Sequence, residues 1–336
     1  MQVKKVQFSR QATTFYFDAA FSTLKSIVSQ KNTVIITDEH LAAAHPKILR
    51  GWNTIALKAG EEYKVQATVD SIIQQLIAMY ADRTWTILGV GGGVVTDMTG
   101  YVASIFLRGV RFGFVPTTLL AMVDAAIGGK NGIDVGVYKN MVGTISQPQF
   151  LLYDVALLKS LPENEWRNGF AEIIKHAAIS DATMFKELSQ RNLLYFQRNK
   201  PALKKLVQRN AALKAKVVKE DEFEKDKRRL LNFGHTLGHA VEKQYELMHG
   251  EAVAVGMAFA ATLSAEMLKF KAREKLIALI DKYGLPATVK YDKQKVFDVL
   301  VSDKKREGEQ INFILLERIG KAVIKKIPLQ EIYKLM

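Results

Sequence analysis

Three of the chain's six histidines lie between positions 235 and 249: His235, His239 and His249. The run His235-Thr236-Leu237-Gly238-His239 puts two imidazoles one helical turn apart, on one face, a spacing that suits a metal ion. Earlier in the chain, Glu172, Lys175 and His176 share a face of Ala171-Glu172-Ile173-Ile174-Lys175-His176. Three neutral imidazoles and a carboxylate can build a zinc site that keeps an open position. Cysteine is absent, so thiolate ligation and disulfides are excluded and a transition metal must take His, Asp or Glu. Spacing alone leaves open whether His235 and His239 both bind metal or one of them acts as a base.

A second kind of chemistry sits in Leu88-Gly89-Val90-Gly91-Gly92-Gly93-Val94-Val95-Thr96-Asp97, where a strand runs into a helix. Glycines there let backbone approach a ligand closely, and the free N–H groups of the helix N-terminus suit phosphate or pyrophosphate. Read from Gly91 the pattern is G-x-G-x-x-T, which lacks the third glycine of the dinucleotide fingerprint. Asp38, at the end of another strand, can accept hydrogen bonds from ribose hydroxyls or cap a helix. Further polar groups recur beside glycines or strand ends: Thr117 and Thr118 after Pro116, Asp124 and Lys130 around Gly128-Gly129, Lys139-Asn140, and Arg228 one turn before Asn232. Together they suit a phosphorylated, carboxylated, hydroxyl-rich substrate.

These groups need elements to position them. Thr33–Thr37, Thr54–Leu57, Thr84–Val90 and Phe112–Val115 read as short strands, with helical periodicity over Val69–Tyr80 and from the glycine turn to about Leu107. Such alternation predicts a mostly parallel sheet with helices on its faces. Past Asp154 helical stretches dominate, and Leu161-Pro162-Glu163 reads as a helix start. The expected organisation is therefore an α/β domain over residues 1–154 and a mainly α-helical domain over 155–336. The apolar run Ala252–Ala265 is shorter than the roughly 20 residues a membrane span needs and reads as a core helix.

The first eight residues lack the apolar stretch of a signal peptide, and with the absence of cysteine this leads us to expect a cytoplasmic protein. Formal charge is +14, but much of the excess lies in mixed stretches such as Lys214–Arg229, interleaved with Glu220, Asp221, Glu222, Glu224 and Asp226. No stacking-aromatic motif accompanies it, so neither nucleic acid nor membrane is expected as a partner.

Read as a series, these motifs resemble the 3-dehydroquinate synthase family of sugar-phosphate cyclases. The resemblance runs through Gly91-Gly92-Gly93-Val94-Val95, Val115-Pro116-Thr117-Thr118-Leu119-Leu120-Ala121-Met122-Val123-Asp124, Gly128-Gly129-Lys130 and Tyr138-Lys139-Asn140. It continues through Ala171-Glu172-Ile173-Ile174-Lys175, Leu231-Asn232-Phe233-Gly234-His235-Thr236-Leu237-Gly238-His239-Ala240, His249-Gly250-Glu251-Ala252-Val253 and Asp303-Lys304-Lys305. The matches fall in order across nearly the whole chain. Three departures stand out: Thr96 replaces a usual glycine, the segment from His239 to His249 is a few residues short, and Ile145-Ser146 replaces a more aromatic pair.

The resemblance implies a Rossmann-like NAD-binding α/β domain, a helical metal domain and a site in the cleft between them. It implies zinc, or cobalt, on Glu172, His235 and His249, with His239 as an acid–base group rather than a ligand. Asp124, Lys130, Asn140, Lys175, Lys214, Arg228, Asn232 and Lys304 would surround a sugar-phosphate substrate. Arg108 would reach the substrate of a neighbouring subunit, which implies a homodimer. The NAD positions would be Asp38, Glu61, Lys64, Gly92, Gly93, Asp97, Thr117, Thr118, Lys139 and Ser160. The implied reaction converts 3-deoxy-D-arabino-heptulosonate 7-phosphate to 3-dehydroquinate, with transient oxidation by NAD, phosphate elimination, re-reduction and an aldol closure. The alternatives are another sugar-phosphate cyclase and a metal-dependent polyol dehydrogenase of related fold, which would accumulate reduced cofactor.

Overall fold

The structure, a computed structural model, describes residues 1–136, 138–301 and 306–336. The chain forms two compact units, Met1–Pro162 with Lys200–Phe223, and Glu163–Asn199 with Glu224–Met336. Whereas the sequence suggested a single change of character near residue 154, the segment Lys200–Phe223 rejoins the first unit after part of the second has been built.

The first unit holds a seven-stranded sheet. In chain order its strands are β1 Gln2–Gln7, β2 Ala12–Phe17, β3 Thr33–Asp38, β4 Asn53–Leu57, β5 Thr86–Gly91, β6 Arg111–Pro116 and, after a hairpin of β7 Lys130–Val135 with β8 Tyr138–Ile145, β9 Phe150–Leu152. The spatial order is β1-β2-β9-β6-β5-β3-β4, parallel except for the β1–β2 edge pair. Continuous burial of Val34, Ile35 and Ile36 in β3 is what a parallel strand covered on both faces requires, and it explains why β3 reads as an unbroken apolar run. The helices α1 Gln66–Ala78 and α2 Gly93–Ile105 flank it, and α2 packs on β5 and β6. The hairpin β7–β8 and the outer strands β1, β2 and β9 were not apparent from sequence, because they are short or largely polar.

The second unit contains α3 Glu163–Ser180; α4 Lys200–Glu220 returns to the first unit; α5 His235–Tyr245 and α6 His249–Leu268 lie in the second. Its helices pack with a three-stranded antiparallel sheet, β10 Arg306–Glu307, β11 Gln310–Arg318 and β12 Lys321–Pro328. Leu237, Val241, Ala252, Val255, Leu263, Phe313 and Leu315 share one core, and burying each larger side chain contributes roughly 1.5–3 kcal/mol. By length and composition α6 is apolar enough to cross a membrane, but 61% of that window is buried inside the unit. That burial is the mark of a core helix, as its sequence indicated.

Candidate functional site

In the second unit, α3 begins just after Pro162, with Glu163 and Glu165 in its first turn where the helix dipole favours them. Its buried face carries Glu172 at 0%, Lys175 at 1% and His176 at 0% exposure. A carboxylate so deep must be partnered. Glu172 Oε2 is ion-paired with Lys175 Nζ. Glu172 Oε1 lies 3.1 Å from His249 Nε2 and 3.6 Å from His235 Nε2.

Close helix packing makes that convergence possible. Gly234 starts α5 in the left-handed region at φ +81. A Cβ on Gly256 of α6 would fall 1.7 Å from the Gly234 carbonyl oxygen, so only glycine lets α5 and α6 approach this closely. On the other side, the Gly250 N–H donates to Asn168 Oδ1 of α3 at 2.6 Å, tying the first turn of α6 to the helix that carries Glu172. His249 is the first residue of α6, and the Glu251 carboxylate accepts the Met248 N–H at 3.1 Å in a capping box.

The donor atoms of Glu172, His235 and His249 all lie within 4.8 Å of one another. His235 Nδ1 is 3.1 Å from the Phe233 carbonyl oxygen, so the proton sits on Nδ1 and the Nε2 lone pair faces the carboxylate. Burial pushes the His235 pKa well below its ordinary value, and the Lys175 ammonium adds to this against the pull of Glu172. Burial opposes charge on His249 as well, but the carboxylates of Glu172 and Glu242 outweigh it and raise the ring to about 9. His249 Nδ1 lies 3.9 Å from Glu242 Oε2. Two imidazole nitrogens and one carboxylate oxygen this close together, one ring held by a backbone carbonyl, are a donor set that could hold a zinc-class cation.

His239 does not join this set. Its ring centroid is 5.3 Å from that of His235, and the side chain is exposed. Arg228 is buried and Asn232 Nδ2 donates to Glu224 Oε1 at 2.7 Å; both lie in the 3-10 turn that leads into α5. Lys304 lies outside the described residues. Asn168 and Glu242 were missed by sequence reasoning. The available signal was positional, since Asn168 is one turn before Glu172 and Glu242 two turns after His235.

In the first unit, the glycine turn joins β5 to α2 with Gly92 as the N-cap residue, and the Thr117 N–H donates to the Gly91 carbonyl at 2.9 Å. Thr96 is buried, and its hydroxyl donates to the Gly93 carbonyl at 3.0 Å. The next residue, Asp97, meets Lys64 at 2.7 Å; the same ammonium donates to Asn140 Oδ1 at 2.7 Å and lies 3.6 Å from Glu61. Burial works against the Lys64 charge, but Asp97 and Glu61 outweigh it and raise its pKa. The structure thus unites four positions that are scattered between 61 and 140. Asn140 adopts φ +53 beside its own hydrogen bond from N–H to Asp134 Oδ1 at 2.6 Å.

Asp124 sits in a π-helical turn, Ala121–Ala125, a wide turn frequent at functional sites. Lys214 of α4 reaches it with Nζ 2.8 Å from Oδ1 and 2.8 Å from the Asp124 carbonyl. The Thr118 hydroxyl accepts the Ala121 N–H at 3.1 Å and so starts that turn. Lys130 and Lys139, both exposed, lie on the β7–β8 hairpin. Asp38 caps a short helix, accepting the Leu41 N–H on Oδ1 at 2.9 Å. Ser160 Oγ is 2.7 Å from His45 Nε2. Arg108 is exposed with φ +64, in a turn after α2.

An α/β unit with a glycine turn at a helix N-terminus, joined in one chain to a helical unit with a His/Glu group that could hold a metal ion, defines the class. Comparison with known proteins defines the family within it. The pattern 3-dehydroquinate synthase N-terminal matches residues 54–168, and 3-dehydroquinate synthase C-terminal matches 169–306. The chain belongs to the 3-dehydroquinate synthase family. It is 42% identical over 277 residues to 3-dehydroquinate synthase of Campylobacter concisus, covering 81% of this chain and 79% of that one. It is 38% identical over 307 residues to 3-dehydroquinate synthase of Pyrobaculum neutrophilum, covering 90% and 88%. Among solved structures, ValA (2-epi-5-epi-valiolone synthase) from Streptomyces hygroscopicus subsp. jinggangensis, with NAD+ and Zn2+ bound, aligns with a TM-score of 0.87 at 25% identity, covering 100% of this chain and 97% of that one.

Proposed function

We propose that this chain is the phosphate-eliminating cyclase that converts 3-deoxy-D-arabino-heptulosonate 7-phosphate to 3-dehydroquinate, a carbon–oxygen lyase of aromatic amino-acid biosynthesis working in the cytoplasm. The observation that carries the reading is the convergence of Glu172, His235 and His249 in a chain of this family. We propose NAD and zinc, or cobalt, as its cofactors; the valiolone synthase of similar fold holds NAD+ and Zn2+. When bound, NAD supplies a reversible hydride acceptor and the metal a Lewis acid for substrate oxygens.

Glu172, His235 and His249 hold the metal. The α2 N-terminus at Gly92 and Gly93 offers N–H groups to the cofactor's pyrophosphate. Asp38, Glu61, Lys64, Asp97, Thr117, Thr118, Lys139 and Ser160 complete the NAD set, with Asp38 using Oδ2 because Oδ1 takes the Leu41 N–H. Arg228 binds substrate oxyanions through paired donors, while Lys130, Lys175, Lys214 and Lys304 act as point charges. Asp124, Asn140 and Asn232 orient hydroxyl groups. His239, outside the ligand set, relays protons.

Arg108 serves the neighbouring subunit of a homodimer. Support comes from the apolar surface beside it: Ile77 is 62% and Tyr80 90% exposed, with Ile105 and Leu107 also open, an exposure that marks association surfaces. The deciding experiment incubates the purified chain with the heptulosonate phosphate, catalytic NAD and zinc, and follows phosphate release and product identity. Phosphate and 3-dehydroquinate in equal amounts, with no net NADH, are expected. A different carbocycle, or stoichiometric NADH, refutes the assignment.

A further inference from the structure

We propose that Glu242 is a positioning residue for His249, holding its ring in the orientation that presents Nε2 to the metal. The inference rests on the metal-centre reading and adds a residue to it. Glu242 lies on α5, and His249 opens α6 after a connection of only three residues, Glu246–Met248. Glu246 ends α5 in the left-handed region at φ +50, so the chain reverses at once. The reversal brings the side chain of Glu242, 8% exposed, to His249: Glu242 Oε2 is 3.9 Å from His249 Nδ1, on the ring edge opposite the Nε2 that faces Glu172 at 3.1 Å.

His249 needs such a hold more than its partner does. The His235 side chain is 11% exposed and its Nδ1 is engaged by the Phe233 carbonyl. The His249 side chain is 30% exposed, and as the first residue of a helix it has no preceding turn to pack on. Its backbone is fixed nearby through the Gly250 N–H to Asn168, but that contact leaves χ1 and χ2 free. A carboxylate on Nδ1 selects the tautomer with the proton on Nδ1, frees the Nε2 lone pair and increases its basicity. The short connection between the helices is what puts Glu242 within reach, so it becomes part of the ligand's support.

The test is zinc affinity, measured by competition with a chelating dye on the full chain without substrate or NAD, for wild type, Glu242→Ala and Glu242→Gln. Loss of an outer-shell partner typically weakens metal binding 10–100-fold. About 100-fold is expected for the alanine variant and about tenfold for the glutamine variant, which keeps shape and a neutral acceptor but not the charge. His249→Ala serves as the ligand-loss reference, and melting of the metal-free proteins reports packing. In the zinc-loaded protein, 15N-resolved spectra should show one ring environment for His249 in wild type and more than one in Glu242→Ala. Wild-type zinc affinity in Glu242→Gln overturns the role of Glu242 even if the alanine variant fails to fold. Absence of zinc binding by the wild type, or undiminished binding by His249→Ala, overturns the metal centre itself, a result distinct from the first.

Discussion

The polar cluster around Lys64 and the candidate metal site around Glu172 achieve burial of charge by different means. In the first unit each buried charge already has its opposite: Lys64 is 4% exposed and is met by Asp97 and Glu61 from different elements, with Asn140 taking another of its protons. That cluster is complete as a set of ion pairs and hydrogen bonds. In the second unit two ring nitrogens crowd one carboxylate oxygen, with the ammonium of Lys175 on the other oxygen. A proton on the His249 ring, which the neighbouring carboxylates favour, lies between Nε2 and Glu172 Oε1, in the place a cation would take in the proposed metal site, whereas the charges of the first set hold one another directly. The supports differ accordingly. A 3-10 turn, the helix α2 and a hairpin deliver the first set, whereas helices pressed together at Gly256 and Gly250 deliver the second.

The contrast can be broken most severely at a ligand. His235→Ala should empty the metal site and abolish turnover, because two remaining donors hold zinc poorly. His239→Ala should keep a full complement of zinc and lose about 100-fold or more in kcat, the usual scale for a missing acid–base group. Elemental analysis of the two purified variants separates them, and equal metal loss would make His239 a ligand. Next in size is the self-paired cluster. Lys64→Ala strands the half-buried Asp97 and should cost about 3–5 kcal/mol of the first unit's stability, read as a lowered midpoint in urea, with zinc content unchanged. Gly256→Ala should show the reverse pattern, a smaller loss of about 1–3 kcal/mol from overpacking together with weakened zinc binding, because the added carbon pushes α5 from α6. Should Gly256→Ala bind zinc as wild type does, the close approach of these helices is not what assembles the ligands.

The smallest effect is expected at Asp38. Serine is as good an N-cap as aspartate, so Asp38→Ser should leave stability within about 0.5 kcal/mol. If the carboxylate also serves ribose, NAD affinity should fall about tenfold, or ~1.4 kcal/mol, in a direct titration. Unchanged NAD affinity would leave Asp38 with capping as its whole role. For Arg108, mixing Arg108→Ala subunits with Lys130→Ala subunits should restore part of the activity. In a mixed dimer one site then lacks both groups and the other has both. No recovery despite proven subunit exchange would place Arg108 in its own chain's site.

Much of the ligand chemistry was readable in the chain itself. His235, His239, Glu172 and Lys175 announce themselves because helical periodicity is a local property, and side chains three or four residues apart share a face whatever surrounds them. The strands β3 to β6 are equally local, since a short apolar run needs only to be recognised as buried. The division of labour between His235 and His239 is another matter. Both lie on one helical face, and only the positions of α3 and α6 show that one ring looks inward at Glu172 while the other is exposed.

The grouping of Lys64 with Asp97 and Asn140, the return of α4 to place Lys214 on Asp124, and the reach of Glu242 to His249 join residues that local pattern treats as unrelated charges. The hairpin β7–β8 escaped for a related reason: strands with exposed faces lack the apolar signature, and their pairing depends on a partner strand rather than on composition. Residue types and spacing determined which atoms were available and the class of chemistry they suit. Which of those atoms meet was decided by backbone approach, where a carbonyl stands in the space a Cβ at Gly256 would need, and by the requirement that every buried charge find a partner. Those conditions exist only between elements distant in sequence, and no local window contains them.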